Sequence, residues 1–289
     1  MVRYYKVAEQ IFGIEAAERY FELLDNYAPF EVAAAETVRF TIAVEEGPIS
    51  SAEGWQNVYT DTSDEDMPRI ELYQRPEEWL FRVSTTKEGE IVSAMRCSLN
   101  WRDVHVSLLP GYERFAIDNA AMLVFAFATL ENKTLLFHSS VIVRDGVGYL
   151  FLGHSGTGKS THSRLWIEAF PGTELLNDDN PAVRILPDGP RVFGTPWSGK
   201  TACWRNLSAP LCGIVRLRQA PFDSFEPLDG IQAFSEVYPG CSVLRSDAFL
   251  HERLCDNLEM LCSLVKVGRM ACLPDLEAAR ICAAGIATH

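Results

Sequence analysis

Eight consecutive residues, Gly153-His154-Ser155-Gly156-Thr157-Gly158-Lys159-Ser160, match G-x-x-x-x-G-K-[ST] at every fixed position. The spacing suits a phosphate chain. Glycines let the backbone fold so that several N–H groups point inward, and a following helix N-terminus adds about half a positive charge. Lys159 is then placed for the terminal phosphates of a nucleotide and the Ser160 hydroxyl for Mg²⁺, with Thr161 completing the candidate binding stretch. The flanks agree, because residues 147–152 are an apolar strand-like run and residues 160–170 have the pattern of a helix.

Asp178-Asp179 follows the run Thr173-Glu174-Leu175-Leu176-Asn177, which reads as a short strand after the helix. Adjacent residues on a strand face opposite ways, so two neighbouring carboxylates can divide the work where the chain bends at a strand end. One would hold Mg²⁺, directly or through water, while the other faces an acceptor hydroxyl. Phosphoryl transfer needs mostly positioning and charge neutralisation, so Lys159, Mg²⁺ and one aspartate form a nearly sufficient set.

A third candidate is His138. Asp145-Gly146 between two apolar runs predicts a two-residue hairpin turn. If Arg144 pairs with Val147, His138 falls opposite Gly153, at the roughly 4.5 to 5.5 Å spacing of directly paired residues. An imidazole there would steer a phosphate and could hold a proton beside it at neutral pH. The alternative is a strand-end histidine satisfied by backbone.

The elements that must position these residues divide into two expected domains, 1–111 and 112–289, with Leu109-Pro110-Gly111 at the boundary. The first is a strand-rich α+β module, with β-favouring runs at 4–14, 38–44, 70–73, 79–83, 91–97 and 104–108 and a helix at about 16–27. The second opens with an apolar helix at 112–130, expected to be buried against a sheet. Strands are then expected at 134–137, 141–144, 149–152, 174–176, 182–185, 191–193 and 211–217, and helices at 230–237, 247–265 and 276–284. The acidic stretch Thr60-Asp61-Thr62-Ser63-Asp64-Glu65-Asp66 lacks the spacing of a calcium loop and reads as solvated.

The 289 residues are 47% hydrophobic, enough for a substantial core, and carry a formal net charge of −13. Lys and Arg do not cluster, which argues against a nucleic-acid or anionic-membrane surface. No apolar run approaches membrane-spanning length and no apolar segment follows the first charges, so the expectation is a cytoplasmic protein with no membrane association. The eight cysteines contain no C-x-x-C pair and read as reduced thiols.

Taken together, Leu135-Leu136-Phe137-His138-Ser139-Ser140, Gly153 to Thr161 and Asp178-Asp179 resemble the HPr kinase/phosphorylase group, which is related through its P-loop domain to ATP-dependent phosphoenolpyruvate carboxykinase. The resemblance covers residues 113–270. It implies an α/β P-loop domain preceded by a smaller strand-rich α+β domain, with ATP (or another nucleotide phosphate donor) and Mg²⁺ as cofactors. It further implies Lys159 on the phosphates, Ser160 and Asp178 on the metal, Asp179 as general base and His138 as the active-site histidine. A homo-oligomer is expected on the same ground.

The expected activity is phosphoryl transfer to a hydroxyl, on a protein or peptide serine or a small molecule. The chain departs from the family where an acidic metal ligand and an arginine-glycine signature give way to residues 192–201, Val-Phe-Gly-Thr-Pro-Trp-Ser-Gly-Lys-Thr. There Gly194, Gly199, Lys200 and Thr201 form either a mobile closing loop or a turn anchored by Trp197. Arg205, Arg216 and Arg218 are candidates for charge neutralisation. Two alternatives stand beside this expectation. One is a non-catalytic nucleotide-gated binding module, and the other a phosphoenolpyruvate-carboxykinase-like enzyme, for which the N-terminal module is small.

Overall fold

A computed structural model describes residues 1–33, 37–60, 69–199 and 201–288. The acidic stretch at 61–66 and Lys200 lie outside the described residues. The chain divides into two compact units, residues 1–128 with 244–247, and residues 129–243 with 248–289.

The first unit is built on one sheet. Its strands are β1 (Val2–Val7), β2 (Gln10–Glu15), β3 (Glu31–Val32), β4 (Thr41–Glu45), β5 (Gln56–Thr60), β6 (Ile70–Gln74), β7 (Glu78–Ser84), β8 (Ile91–Ser98) and β9 (Asp103–Leu108). They run in the order β3-β1-β2-β4-β9-β8-β7-β6-β5. The run at 4–14 is a hairpin rather than one strand, because Ala8 and Glu9 turn the chain with φ of 47° and 62°. The helix expected at 16–27 shrinks to α1 (Glu18–Phe21), followed by a 3₁₀ turn over Asp25–Phe30 that contains Pro29. Proline supplies no N–H and cannot sit inside a continuing α-helix.

The boundary also differs from the expected Gly111. The apolar helix α2 (Glu113–Ala128) packs on β4, β8 and β9 of the first sheet, and Phe127 lies against the rings of Phe81 and Trp101. Its wide apolar face required a sheet, as expected, but the sheet is the one before it in the chain.

The second unit carries the candidate site. Its strands are β10 (Thr134–Leu136), β11 (Ser139–Arg144), β12 (Val147–Leu152), β13 (Glu174–Asp179), β14 (Ala182–Leu186), β15 (Gly189–Phe193), β16 (Ser208–Gln219), β17 (Ser224–Leu228) and β18 (Lys266–Cys272). The main path is β10-β14-β15-β16-β12-β11-β13, with β18 parallel to β16 and β17 antiparallel to β18. The helices are α3 (Lys159–Ala169), α4 (Gly230–Val237), α5 (Ala248–Leu264) and α6 (Leu276–Thr288). The twelve-residue β16 joins the two halves of the sheet, pairing with β15 through its first residues and with β12 and β18 through its last.

One face of this sheet is closed by α3 and α6. Phe151, Val215 and Leu217 meet Trp166 of α3 and Ala278, Ala279 and Cys282 of α6, all buried. The small side chains at helical spacing on α6 let that helix approach closely, and the large Trp166 fills the remaining space. The alternation of β16 sends Arg216 and Arg218 to the opposite face, where Glu236 of α4 receives both. All eight cysteines are free thiols. Among the described residues, no helix is long and apolar enough to cross a membrane.

Candidate functional site

The Asp145-Gly146 turn forms as its residue types demand, with φ of 53° and 79°. It sets the register Arg144↔Val147 through Ser139↔Leu152. The ladder stops there, one residue short of His138 and Gly153. Instead of pairing with Gly153, His138 donates its N–H to Gly240 O at 2.8 Å. Its Nε2 lies 3.6 Å from Asp179 Oδ1. On its other edge β11 pairs with β13, which sets Ser139 opposite Asp179.

The loop 153–158 joins β12 to α3. Gly156 and Gly158 adopt φ of 76° and 104°, and α3 begins at Lys159 with no side-chain cap on its first turn. This leaves a helix N-terminus as a place for an anion. Lys159 Nζ folds over the loop, donating to Gly153 O at 3.0 Å and His154 O at 3.5 Å. Burial lowers its pKa, against the pull of Asp179.

Strand alternation divides the two aspartates between the faces of the sheet. Asp178 pairs with Ser140, whose hydroxyl meets Ser163 of α3, so Asp178 points to the α3 side. There its Oδ1 accepts from Ser160 Oγ and its Oδ2 from Thr201 Oγ1, both at 2.9 Å. Asp179 points the other way, toward His138, and its Oδ2 accepts from Asn180 Nδ2 at 2.9 Å. Burial raises the pKa of Asp179, with His138 and Lys159 opposing. The same crowding lowers His138, helped by the Lys159 ammonium and opposed by Asp179.

Among the described residues, no group of three or more His, Cys, Asp or Glu could hold a metal ion. A divalent cation at the loop would rest on Ser160 and Asp178, a hard oxygen pair of the kind Mg²⁺ takes alongside water and phosphate oxygens. The carboxylate is buried and already aimed at the hydroxyl, so these two residues fit that ion.

The segment after β15 is a wall of this site. Asn177 Nδ2 donates to Thr195 Oγ1 at 3.2 Å, and Thr195 Oγ1 donates to Asn180 O at 2.7 Å. Ser198 bridges Asp179, Gly199 N–H donates to Asp178 O at 2.8 Å, and Trp197 is buried. Residues 194–199 are thus a turn anchored to the Asn177–Asn180 corner. Thr201, singled out in the sequence for a closing loop, serves as the second hydroxyl on Asp178.

The three candidate arginines separate. Arg205 binds Glu174 and the Leu175 carbonyl at the start of β13, five residues from Asp179 and so about 16 Å along the strand. Arg216 and Arg218 instead line a cleft of about 530 Å³ with His154, Ser155, Gly156 and Thr157. A second cleft, about 390 Å³, opens on the α3 and α6 side of the loop and is bounded by Thr161, Leu165, Leu217, Cys272, Leu273 and Pro274. The contribution of Glu236, which orders the arginines, carries no sequence motif and was not anticipated. Neither a comparison with family models nor one with curated proteins finds a match to this chain.

Proposed function

We propose that the chain is a Mg²⁺- and nucleotide-dependent phosphotransferase, HPr-kinase-like in its chemistry, that moves a phosphoryl group to a hydroxyl. The observation that carries this reading is the division of labour at the end of β13. Asp178 is bonded to Ser160 on one face, and Asp179 stands beside His138 on the other. In this reading Gly153 to Thr161 cradle the phosphates of ATP, with Lys159 released from the loop carbonyls to the terminal ones. Ser160 and Asp178 hold the Mg²⁺, which supplies charge neutralisation when bound. The flat base fits the more apolar cleft bounded by Leu165, Leu217 and Leu273.

Asp179 accepts the hydroxyl proton of the acceptor. Its raised pKa makes it a stronger base than an ordinary carboxylate, which suits general-base work. His138 lies close enough to set the charge of that carboxylate. The test is transfer of label from γ-labelled ATP to a panel of free serine, serine peptides and HPr, with Lys159→Ala as the binding control. Transfer by the wild type, with binding lost in the control, supports the reading. Tight Mg–ATP binding with no transfer to any acceptor would replace it with a nucleotide-gated binding module.

A further inference from the structure

The register of the second sheet places five residues in one row across it: Asp179, Ser139, Leu152, Arg216 and Arg269, each the partner of the next. The loop begins immediately after Leu152. Asp179 stands two strands to one side of it and Arg216 one strand to the other, so their Cα positions are about 14 Å apart at the usual strand spacing. Both side chains lie on the same face. Asp179 is beside His138, whose N–H meets Gly240; Leu152 faces Gly240; and Arg216 faces Glu236 of α4.

Arg216 is built in rather than draped over the surface. Its side chain is 9% exposed, its Nε lies 3.7 Å from Glu236 Oε2, and its Nη2 lies 3.3 Å from His154 Nε2 within the loop. A guanidinium is always a donor, so His154 accepts through Nε2. Arg218, two residues on and on the same face, is 57% exposed at the mouth of the cleft and donates to Glu236 Oε1 at 2.6 Å. Glu236 is shared with a third arginine, Arg269, also at 2.6 Å, and Arg269 binds Glu226 as well. Three guanidinium groups against two carboxylates leave one excess positive charge beside the loop. Paired guanidinium planes bind carboxylate and phosphate oxygens with directional hydrogen bonds.

We propose that Arg216 and Arg218, with His154 and the amides of the loop, form an oxyanion-binding site facing Asp179 across the loop, which takes a phosphate or carboxylate group. The proposal rests on the phosphotransferase reading for its two possible sources of that anion: the terminal phosphate of the donor, or an anionic group carried by the acceptor. The cleft of about 530 Å³ has room for either.

Calorimetric titration distinguishes the sources, using wild type, Arg216→Gln and Arg218→Gln with MgATP, MgADP and inorganic phosphate. Phosphate is added both to protein alone and to protein saturated with the magnesium complex of a non-hydrolysable ATP analogue. A loss of at least tenfold in MgATP affinity, with MgADP held within twofold, assigns the site to the terminal phosphate. Phosphate that binds analogue-saturated wild type and fails to bind the variants assigns it to the acceptor.

Equal losses for both nucleotides, or wild-type behaviour of the variants toward all three probes, would overturn the proposal. If wild type binds no nucleotide but binds phosphate through these arginines, the phosphotransferase reading fails and the anion site stands. Arg218 is exposed, so its variant carries the test if removing the buried Arg216 charge prevents folding, and Arg216→Lys then reports whether charge alone suffices.

Discussion

His138 Nε2 lies 3.6 Å from Asp179 Oδ1, and the two groups are shifted in opposite directions: the carboxyl upward and the imidazole downward. Both shifts favour the uncharged forms, and both arise first from burial. Asp179 works as a base only when ionised, so transfer should rise with pH through a limb above the ordinary carboxylate range. Asp179→Asn should remove that limb and cut turnover by about 10²- to 10⁴-fold while nucleotide affinity stays within a few-fold. His138→Gln, which removes a group that lowers Asp179, should move the limb to higher pH. A pH profile of kcat/KM for the three proteins decides it, and an unmoved limb in Asp179→Asn would sink the base assignment.

Asp178 holds one hydroxyl on each carboxylate oxygen, Ser160 on Oδ1 and Thr201 on Oδ2. In the proposed function, where Asp178 holds Mg²⁺, Thr201 orients that carboxylate from its other oxygen. Thr201→Val should weaken Mg²⁺ by on the order of tenfold, the scale of outer partners at metal sites. It should also cost about 1 to 3 kcal/mol of stability by leaving a buried carboxylate oxygen unpartnered. Ser160→Ala and Asp178→Asn should weaken Mg²⁺ more than Thr201→Val does. Magnesium titrations of nucleotide binding, paired with thermal melts, give both readings, and a Thr201→Val protein with unchanged magnesium dependence would confine that residue to folding.

Gly194 admits no side chain: a Cβ there would stand 2.0 Å from the Arg205 carbonyl oxygen and 3.3 Å from that of Leu176. Both obstacles are backbone, so the 194–199 turn would have to move off the Asn177–Asn180 corner. Gly194→Ala should destabilise by roughly 1 to 3 kcal/mol, the cost of overpacking. Because Gly199 and Ser198 touch Asp178 and Asp179, the same substitution should reduce transfer beyond what stability explains. Activity measured well below the melting temperature separates the two effects, and full activity there would mean the turn does not hold the aspartates.

The parts of the site that could be read from the sequence are those whose geometry is local. The glycine spacing of 153–158, the Asp145-Gly146 turn and the placing of Asp178-Asp179 at a strand end all follow from residue type within a few positions, and α4 occupies the expected 230–237. Where the outcome depended on distant packing, the sequence misled or was silent. The α2 pattern demanded a sheet without saying which one. Strand β18 shows no clean alternation, because Gly268 lies under the Phe225 ring and Arg269 turns to Glu226 and Glu236. His138 could be given a register against β12, but the carboxylate its ring meets, Asp179 of β13, is 41 residues further along the chain.

His162, on α3 behind the loop, is buried, and its Nε2 accepts from Trp166 Nε1 at 3.1 Å. Burial pushes its pKa from 6.5 down to about 4. The folded protein therefore binds this proton less readily than the unfolded chain. The stability tied to neutral His162 is present in full above pH 6.5 and is lost as the pH falls from there through about 4. A shift of this size corresponds to about 3 kcal/mol when fully expressed. Urea unfolding from pH 7.5 to 4.5 should show that loss in wild type. His162→Gln keeps an acceptor for the indole N–H but cannot take up a proton, so its stability should fall less over the same interval. If both proteins lost the same stability between pH 6.5 and 4.5, the acid sensitivity would belong to other groups and the buried imidazole would be silent.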